Sequence, residues 1–245
     1  MTAQLDHLSL PKRLLVSVSG PLYAALYFSV RHRFLGFTLA GWLKFFTLVL
    51  IVVAWLGRSG IGWVLAAVAL AIAIRIVYWD AKRRGYLRFF PFTKQTAPQV
   101  SEPIADNKRV KVCATGTFSV SHKQAYLLQH PAEYWRVPLG DHAVMVEHEP
   151  GSFLYQFIEP AALLQIQSGI LVHGLRPRPG LSLTFLSNWG PEFVETNLNQ
   201  FLSSPSKSPE KLQRKMYLTF TNPEDKQAVW YNLLRDTGNA NAPLK

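Results

Sequence analysis

Two apolar runs constrain the fold more than anything else in the chain. They are FLGFTLAGWLKFFTLVLIVVAWLG, from Phe34 to Gly57, and IGWVLAAVALAIAIRIVYW, from Ile61 to Trp79, joined through Gly57-Arg58-Ser59-Gly60. A helix needs about 20 apolar residues to cross the hydrocarbon core of a bilayer, and each run reaches about that length. The pair is expected to form a transmembrane helical hairpin. Each run carries one charge: Lys44 lies 13 residues before Gly57, and Arg75 lies 14 residues after Ile61. An antiparallel hairpin puts both at nearly one depth, from which they can snorkel toward a headgroup layer. Neither run offers a carboxylate to pair with them, which favours interfacial anchors over an ion path. Gly62, Ala66, Ala69 and Ala73 form a small-residue stripe at helical spacing. Such a stripe allows close packing in lipid, either against the first helix or against another protein.

The charge of +11 is unevenly spread. Residues 1–94 carry 12 Lys/Arg and 2 Asp/Glu, whereas residues 95–245 carry 14 and 13. The basicity therefore belongs to the apolar part and its flanks, and no nucleic-acid partner is expected. Arg31 and Arg33 precede the hairpin and Lys82, Arg83, Arg84 and Arg88 follow it, while its connection has only Arg58. The positive-inside rule then places both termini and the soluble part on the cytoplasmic face of a plasma (inner) membrane. Lys44, Arg75, Lys82, Arg83, Arg84 and Arg88 are the expected contacts to the membrane surface and its anionic headgroups. A lone cysteine, Cys113, excludes an intrachain disulfide and agrees with a reducing compartment. Met1 to Pro11 lacks the features of a cleaved signal peptide.

Leu14 to Val30 is uncharged and could be taken for a third span, yet Gly20-Pro21 interrupts it, and basic residues flank both ends. Residues 1–33 are therefore expected to be interfacial or re-entrant, with Pro21 opening a helix. Residues 80–107 form a basic juxtamembrane segment and, from Thr93 to Asn107, a polar linker; Trp79 just before it, with Tyr86, Phe89 and Phe90 within it, suits the headgroup zone.

Near Lys108 the apolar period switches to two. Val110–Val120 reads as a strand, and similar runs recur at Ala125–Leu128, Tyr134–Val137, His142–His148, Phe153–Ile158, Leu163–His173, Leu181–Leu186 and Met216–Thr221. Turn formers separate them at Leu139-Gly140-Asp141, Glu149-Pro150-Gly151 and Arg176–Gly180. Pro191–Leu202 reads as a short amphipathic helix and Ser203–Glu210 as a loop. A final helix over 223–237 is signalled by Asn222 as N-cap, Pro223 at the first position, Glu224 and Asp225 at the positive dipole end, and Gly238 at its stop. Its apolar face is Val229, Trp230, Leu233 and Leu234, with Trp230 as the cap of the domain; residues 239–245 form a tail. The expected fold class is an α+β membrane protein, with a transmembrane hairpin (34–57, 61–79) and a mainly antiparallel β sandwich or barrel (108–238) capped by a C-terminal helix.

The last strand and helix, KMYLTFTNPEDKQAVWYNLL from Lys215 to Leu234, with the opening strand VKVCATGTFSV, resemble bacterial membrane-anchored pleckstrin-homology-like domains. The resemblance covers about Lys108 to Asp236. It implies a seven-stranded bent sandwich with a capping helix, used for lipid, peptide or protein binding. The hairpin that serves phosphoinositides in such domains would centre here on Ser119 to Gln124, with only His122 and Lys123 as basic groups.

Little in the chain suggests bond-making chemistry. In HAVMVEHE, His142 to Glu149, a strand puts His142 and His148 on one side and Glu147 and Glu149 on the other, with the histidines about 20 Å apart. A solvated strand edge is expected and no metal. Cys113 lies mid-strand between apolar neighbours, the setting of an unreactive thiol. No nucleophile elbow, phosphate-binding glycine loop or zinc-helix motif occurs, and no cofactor is expected. The expected function is a non-catalytic interaction module or scaffold, an accessory or assembly subunit bound to other membrane proteins. The alternatives are recognition of anionic lipid or a small amphiphile, and a membrane-tethered enzyme with an unrecognised site.

Overall fold

The structure is a computed structural model that describes residues 8–57, 60–93, 98, 103–120, 123–138, 143–174, 176–187 and 212–237. The chain divides into two compact units. One is helical and takes Leu10–Arg88 with Val172–Pro177; the other takes Phe89–Leu171 and the chain from Arg178, together with Leu8 and Ser9.

In the helical unit, α1 (Leu10–Arg31), α2 (Leu39–Leu56) and α3 (Ile61–Arg83) follow one another. All three are long and apolar enough to cross a membrane. Between α1 and α2 the chain makes a two-stranded ribbon, β1 (Arg33–Phe34) against β2 (Phe37–Thr38). Thr38 then caps α2, its hydroxyl accepting from the Gly41 N–H at 3.0 Å. Helix α3 ends where Lys82 and Arg83 meet the negative end of its dipole, and Gly85 and Tyr86 turn the chain away at positive φ.

Contrary to expectation, α1 runs unbroken through Pro21. Proline removes one backbone hydrogen bond, a loss of about 3 kcal/mol in a helix interior. Here packing holds both flanks: Val16 and Ser19 before the proline and Tyr23 and Leu26 after it are buried on one helical stripe. Tyr23 and Leu26 meet Ala81 of α3, and the Ser29 hydroxyl bonds the Tyr78 hydroxyl at 2.6 Å.

The second unit is built on an eight-stranded antiparallel sheet: β3 (Leu87–Pro91), β4 (Val110–Val120), β5 (Lys123–Val137), β6 (Ala143–His148), β7 (Tyr155–Ile158), β8 (Leu163–His173), β9 (Arg176–Ser187) and β10 (Leu212–Thr219). The spatial order is β3-β8-β9-β10-β4-β5-β6-β7, and β7 returns to pair with β4 through Tyr155 and Ser119. Strand β4 serves both halves because it bends at a bulge between Ala114 and Gly116. There Gln129 takes a positive φ and donates from both its backbone and side-chain nitrogens to the Thr115 hydroxyl, at 2.9 and 2.8 Å. Gly116 lets the bend close, since a Cβ there would lie 3.2 Å from Met216. Helix α4 (Pro223–Asp236) lays Val229, Trp230, Leu233 and Leu234 on the core formed by Phe118, Tyr134, Val146, Leu183, Phe185 and Leu218.

Several sequence expectations change. The runs 125–128 and 134–137 are one strand, β5, because Pro131 pairs with Cys113 in the ladder beside the bulge instead of ending the strand. Residues 176–180 are strand, not turn: the ladder from β10 stops at Gly180, so Pro177 and Pro179 owe it no donor. Phe89 and Phe90 lie in β3. Ile104, placed in a linker by sequence, is buried in the core, with its N–H donated to Asn232 Oδ1 (3.3 Å) and its carbonyl accepting from Asn232 Nδ2 (3.2 Å). Asn222 opens α4, but its side chain donates to Asp225 (3.1 Å) and does not cap the helix backbone. The Pro191–Leu202 helix, the Ser203–Glu210 loop, the Leu139–Asp141 turn, Gly238 and the 239–245 tail lie outside the described residues.

Replacing Asn232 with alanine strands two buried backbone groups of Ile104. The expected loss is about 2–6 kcal/mol of unfolding free energy, counting roughly 1–3 kcal/mol for each orphaned group. Denaturant titration followed by tryptophan fluorescence checks it; a change below about 0.5 kcal/mol, the ordinary surface range, would show that the Ile104 clamp is dispensable.

Candidate functional site

Within the helical unit the helices cover one seam and leave the rest bare. The covered positions include Ala40, Thr47, Ile51 and Ala54 on α2, spaced by seven, four and three residues, and Val64, Ala67, Ala71, Ile74, Tyr78 and Ala81 on α3, spaced by three or four; all are buried or half-buried. Outside the seam Leu48, Leu50, Val53, Leu65, Ile72 and Ile76 are exposed. An apolar surface this continuous is not what a soluble monomer exposes to water.

Tryptophans sort along this hairpin into two levels. Trp42 and Trp79 lie near the end where the chain enters and leaves, and Trp55 and Trp63 lie beside the connection. Trp55, Trp63 and Trp79 are 73%, 71% and 61% exposed, so they are not core residues. At about 1.5 Å of rise per residue the levels are roughly 20–24 Å apart.

The six basic residues singled out from sequence divide into groups. Lys44 and Arg75 are exposed, each roughly 20 Å along its helix from the connection. Lys82 and Arg83 are exposed at the end of α3, and the Arg83 guanidinium sits 5.5 Å from the Trp79 ring centre. Arg84 is engaged locally, its Nε 2.9 Å from both carboxylate oxygens of Asp80. Arg88 is half-buried.

The small-residue stripe does not meet the first helix. Gly62, Ala66, Ala69 and Ala73 are all exposed, and nothing lies within 4 Å of a Cβ built on Gly62. The rotation of α3 is set by Tyr78 and Ala81, which turn toward α1 and carry the stripe to the outer surface.

In the sheet unit, Trp230 is buried as the anchor of α4, and its indole N–H has no hydrogen-bond partner. One turn earlier Lys226 is also buried, with its ammonium 5.1 Å from the Phe92 ring centre and 5.9 Å from that of Trp230. Burial among rings pushes its ammonium down to about 8. At the other end of α4, Arg136 donates its Nε and Nη2 to the two oxygens of Asp236, at 2.7 and 2.8 Å, and its Nη1 to Asp106 at 2.7 Å. These groups wall an open depression of about 640 Å³, lined also by Pro103, Ile104, Ala105 and Arg235. With all three guanidinium nitrogens bonded, Arg136 closes the wall of the depression instead of offering it a charge.

His142 lies outside the described residues. Strand β6 is not an edge: it runs between β5 and β7, so Glu147 faces Glu133 directly, and Arg109 bridges the like charges at 3.5 and 2.9 Å while lying 4.3 Å over Trp135. His148 is buried, with Nδ1 3.0 Å from the Pro131 carbonyl and its ring 4.8 Å from that of His130. Among the described residues no three His, Cys, Asp or Glu side chains gather where an ion could sit. Cys113 is half-buried in mid-strand, its sulfur 3.9 Å from Arg178 Nη1.

Sequence reading missed Lys226, Asn232 and Arg136. The first two fall on the apolar face of α4, three residues from Val229, and a polar group there was a legible signal; Arg136, 100 residues from Asp236, gave none. No family model, no curated protein and no solved structure matches the chain.

Lys226 makes stability depend on pH in a defined window. Below about pH 8 the lysine is charged in both states and the burial penalty is fully present. Between about 8 and 10.5 the folded state sheds the proton while the unfolded chain keeps it, so stability rises with pH; above 10.5 the difference is constant. Lys226→Met is expected to be more stable than the parent below pH 8, by up to about 3 kcal/mol, and to lose this rise. Denaturant midpoints from pH 7 to 10.5 test it, and parallel profiles for the two proteins would refute it.

Proposed function

We propose that the chain is a non-catalytic, membrane-anchored interaction protein, an accessory or assembly subunit of a membrane protein complex. In this reading the helical unit sits in the plasma (inner) membrane and holds the sheet unit on the cytoplasmic side. The observation that carries it is the bare apolar surface of α2 and α3, bounded by two levels of tryptophan, of which Trp55, Trp63 and Trp79 are exposed and Trp42 is half-buried. Tryptophan prefers the two interfaces of a bilayer, and levels roughly 20–24 Å apart suit a hydrocarbon core of about 30 Å with the rings turned outward. Lys82 and Arg83 beside the Trp79 level, against Arg58 alone at the other end, support the cytoplasmic orientation.

The interaction role rests on the sheet unit. Strands β4 to β10 lie in the order β8-β9-β10-β4-β5-β6-β7, β4 closes on β7, and a C-terminal helix seals the core with Trp230. This agrees with the bent seven-stranded sandwich and capping helix that the pleckstrin-homology resemblance implies, a fold whose business is binding; fold likeness alone names no ligand. Strand β3 adds an eighth strand beside β8. The alternative, recognition of anionic lipid, is favoured by one feature, the exposed pair Lys82 and Arg83 with Arg83 held over Trp79.

Two measurements test the proposal. With Cys113→Ser as background, Ser59→Cys in intact cells is expected to react with a membrane-impermeant maleimide added outside; reaction only after the cells are opened would reverse the orientation. Purification of the full chain in mild detergent is expected to bring down a stoichiometric membrane protein, and a chain that emerges alone would remove the subunit role.

A further inference from the structure

The ribbon between α1 and α2 is an apolar point on a rigid mount. Its turn, Phe34-Leu35-Gly36-Phe37, has φ of +49° at Leu35 and +81° at Gly36. Two central residues at positive φ make the I′ type of two-residue hairpin, which normally takes Asn-Gly or Asp-Gly. A leucine is strained there, and it is 74% exposed, so the core gains nothing from it. Phe34 and Phe37, on either side, are 61% and 65% exposed.

The mount is hydrogen-bonded on every side. Leu39 N–H donates to the His32 carbonyl (3.1 Å), Trp42 Nε1 donates to the Phe34 carbonyl (2.8 Å), and Phe37 packs edge-on to Trp42 at 5.8 Å. Arg31 is held by the Tyr27 hydroxyl, His32 stacks on Phe28 at 3.7 Å, and Arg33 is exposed. Three exposed apolar side chains therefore sit on one hydrogen-bonded turn with basic groups at its base.

We infer that this turn is a membrane-dipping wedge, inserting Phe34, Leu35 and Phe37 at the headgroup–acyl boundary of an anionic leaflet while Arg31 and Arg33 contact its headgroups. The inference rests on the membrane reading above and adds to it a second anchor that does not span. The occupant follows from the chemistry: an apolar tip above a basic base complements acyl chain below and anionic headgroup above. A leucine at a position that favours asparagine then has a reason, since asparagine would hold the turn but not the lipid.

The test uses the full chain with Cys113→Ser, reconstituted in vesicles of phosphatidylglycerol and phosphatidylcholine. An NBD fluorophore is placed at Leu35→Cys, or at Val49→Cys in the middle of α2, and its depth is read with lipids spin-labelled at shallow and deep positions. The Leu35 probe is expected to emit blue-shifted and to be quenched most by the shallow label, the Val49 probe most by the deep one. Adding Phe34→Ser and Phe37→Ser should shift the Leu35 emission to the red and expose it to aqueous iodide without moving the Val49 probe. In vesicles of phosphatidylcholine alone the Leu35 probe should lie shallower, and equal depth there would overturn the role of the basic residues. An aqueous Leu35 probe beside a deep Val49 probe would overturn the wedge and leave the membrane reading standing. Aqueous emission from both would overturn the two together.

Discussion

The structure depends first on the mismatch between the covered and uncovered surface of α2 and α3. A narrow seam holds the helices together, and most of their large side chains, from Leu43 to Leu56 and from Ile61 to Trp79, are exposed. In water the hydrophobic effect opposes such an arrangement, by about 25 cal/mol for each Å² left exposed. In lipid the opposition vanishes, and association relies on packing and on polar bonds between helices. The Ser29–Tyr78 bond is of that kind. The same reasoning accounts for the charges: Lys44 and Arg75 are the interruptions of the two apolar runs, and both lie on the outer surface, where a long stem can reach an interface.

Polar groups are handled differently in the two units. In the helical unit the described side-chain hydrogen bonds are mostly local: Ser17 to the Leu14 carbonyl, Ser29 to that of Leu26, Thr47 to that of Lys44. Bonds of this kind survive in any medium because they need only the helix itself. The sheet unit closes its polar groups over long stretches of chain, with Arg136 reaching Asp106 and Asp236 and Asn232 reaching Ile104. The effect is to fasten the segment entering β4 to the far end of α4. That segment is thereby part of the folded unit.

What was legible in the sequence was what local pattern controls. The two apolar runs, the strand at 163–173, the alternation of Val144, Val146 and His148, and the buried face of α4 all appear where their periodicity placed them. What was not legible required knowledge of partners. Proline marks a break only if the lost hydrogen bond is not outweighed: Pro21 is held by packing on both sides, Pro131 stays in register with Cys113 beside a bulge, and Pro177 and Pro179 lie beyond the β10 ladder. The linker expectation for Ile104 failed for the same reason. An isolated isoleucine in a polar, proline-containing stretch carries no period, and only the distant Asn232 fixes it. At the candidate site the basic residues and tryptophans of the hairpin were legible as a composition, whereas their sorting into two levels needed the helix boundaries.

The phase of α3 shows how far one local contact reaches. A helix with small residues on one stripe and larger ones on another can present either to its neighbour, and close packing alone favours the small one. Here Tyr78 decides the matter. Its hydroxyl requires a partner once the ring is covered, Ser29 supplies it, and rotating α3 away from that bond would take this partner from Tyr78, while Ser29 would keep its bond to the Leu26 carbonyl. Fixing Tyr78 fixes Ile74, Ala71, Ala67 and Val64 in the seam with it, because they share its stripe. Gly62, Ala66, Ala69 and Ala73 are then outward by geometry, not by any preference of their own. The smooth outer face of α3 thus follows from the phase in which Tyr78, Ala81 and the seam residues are covered.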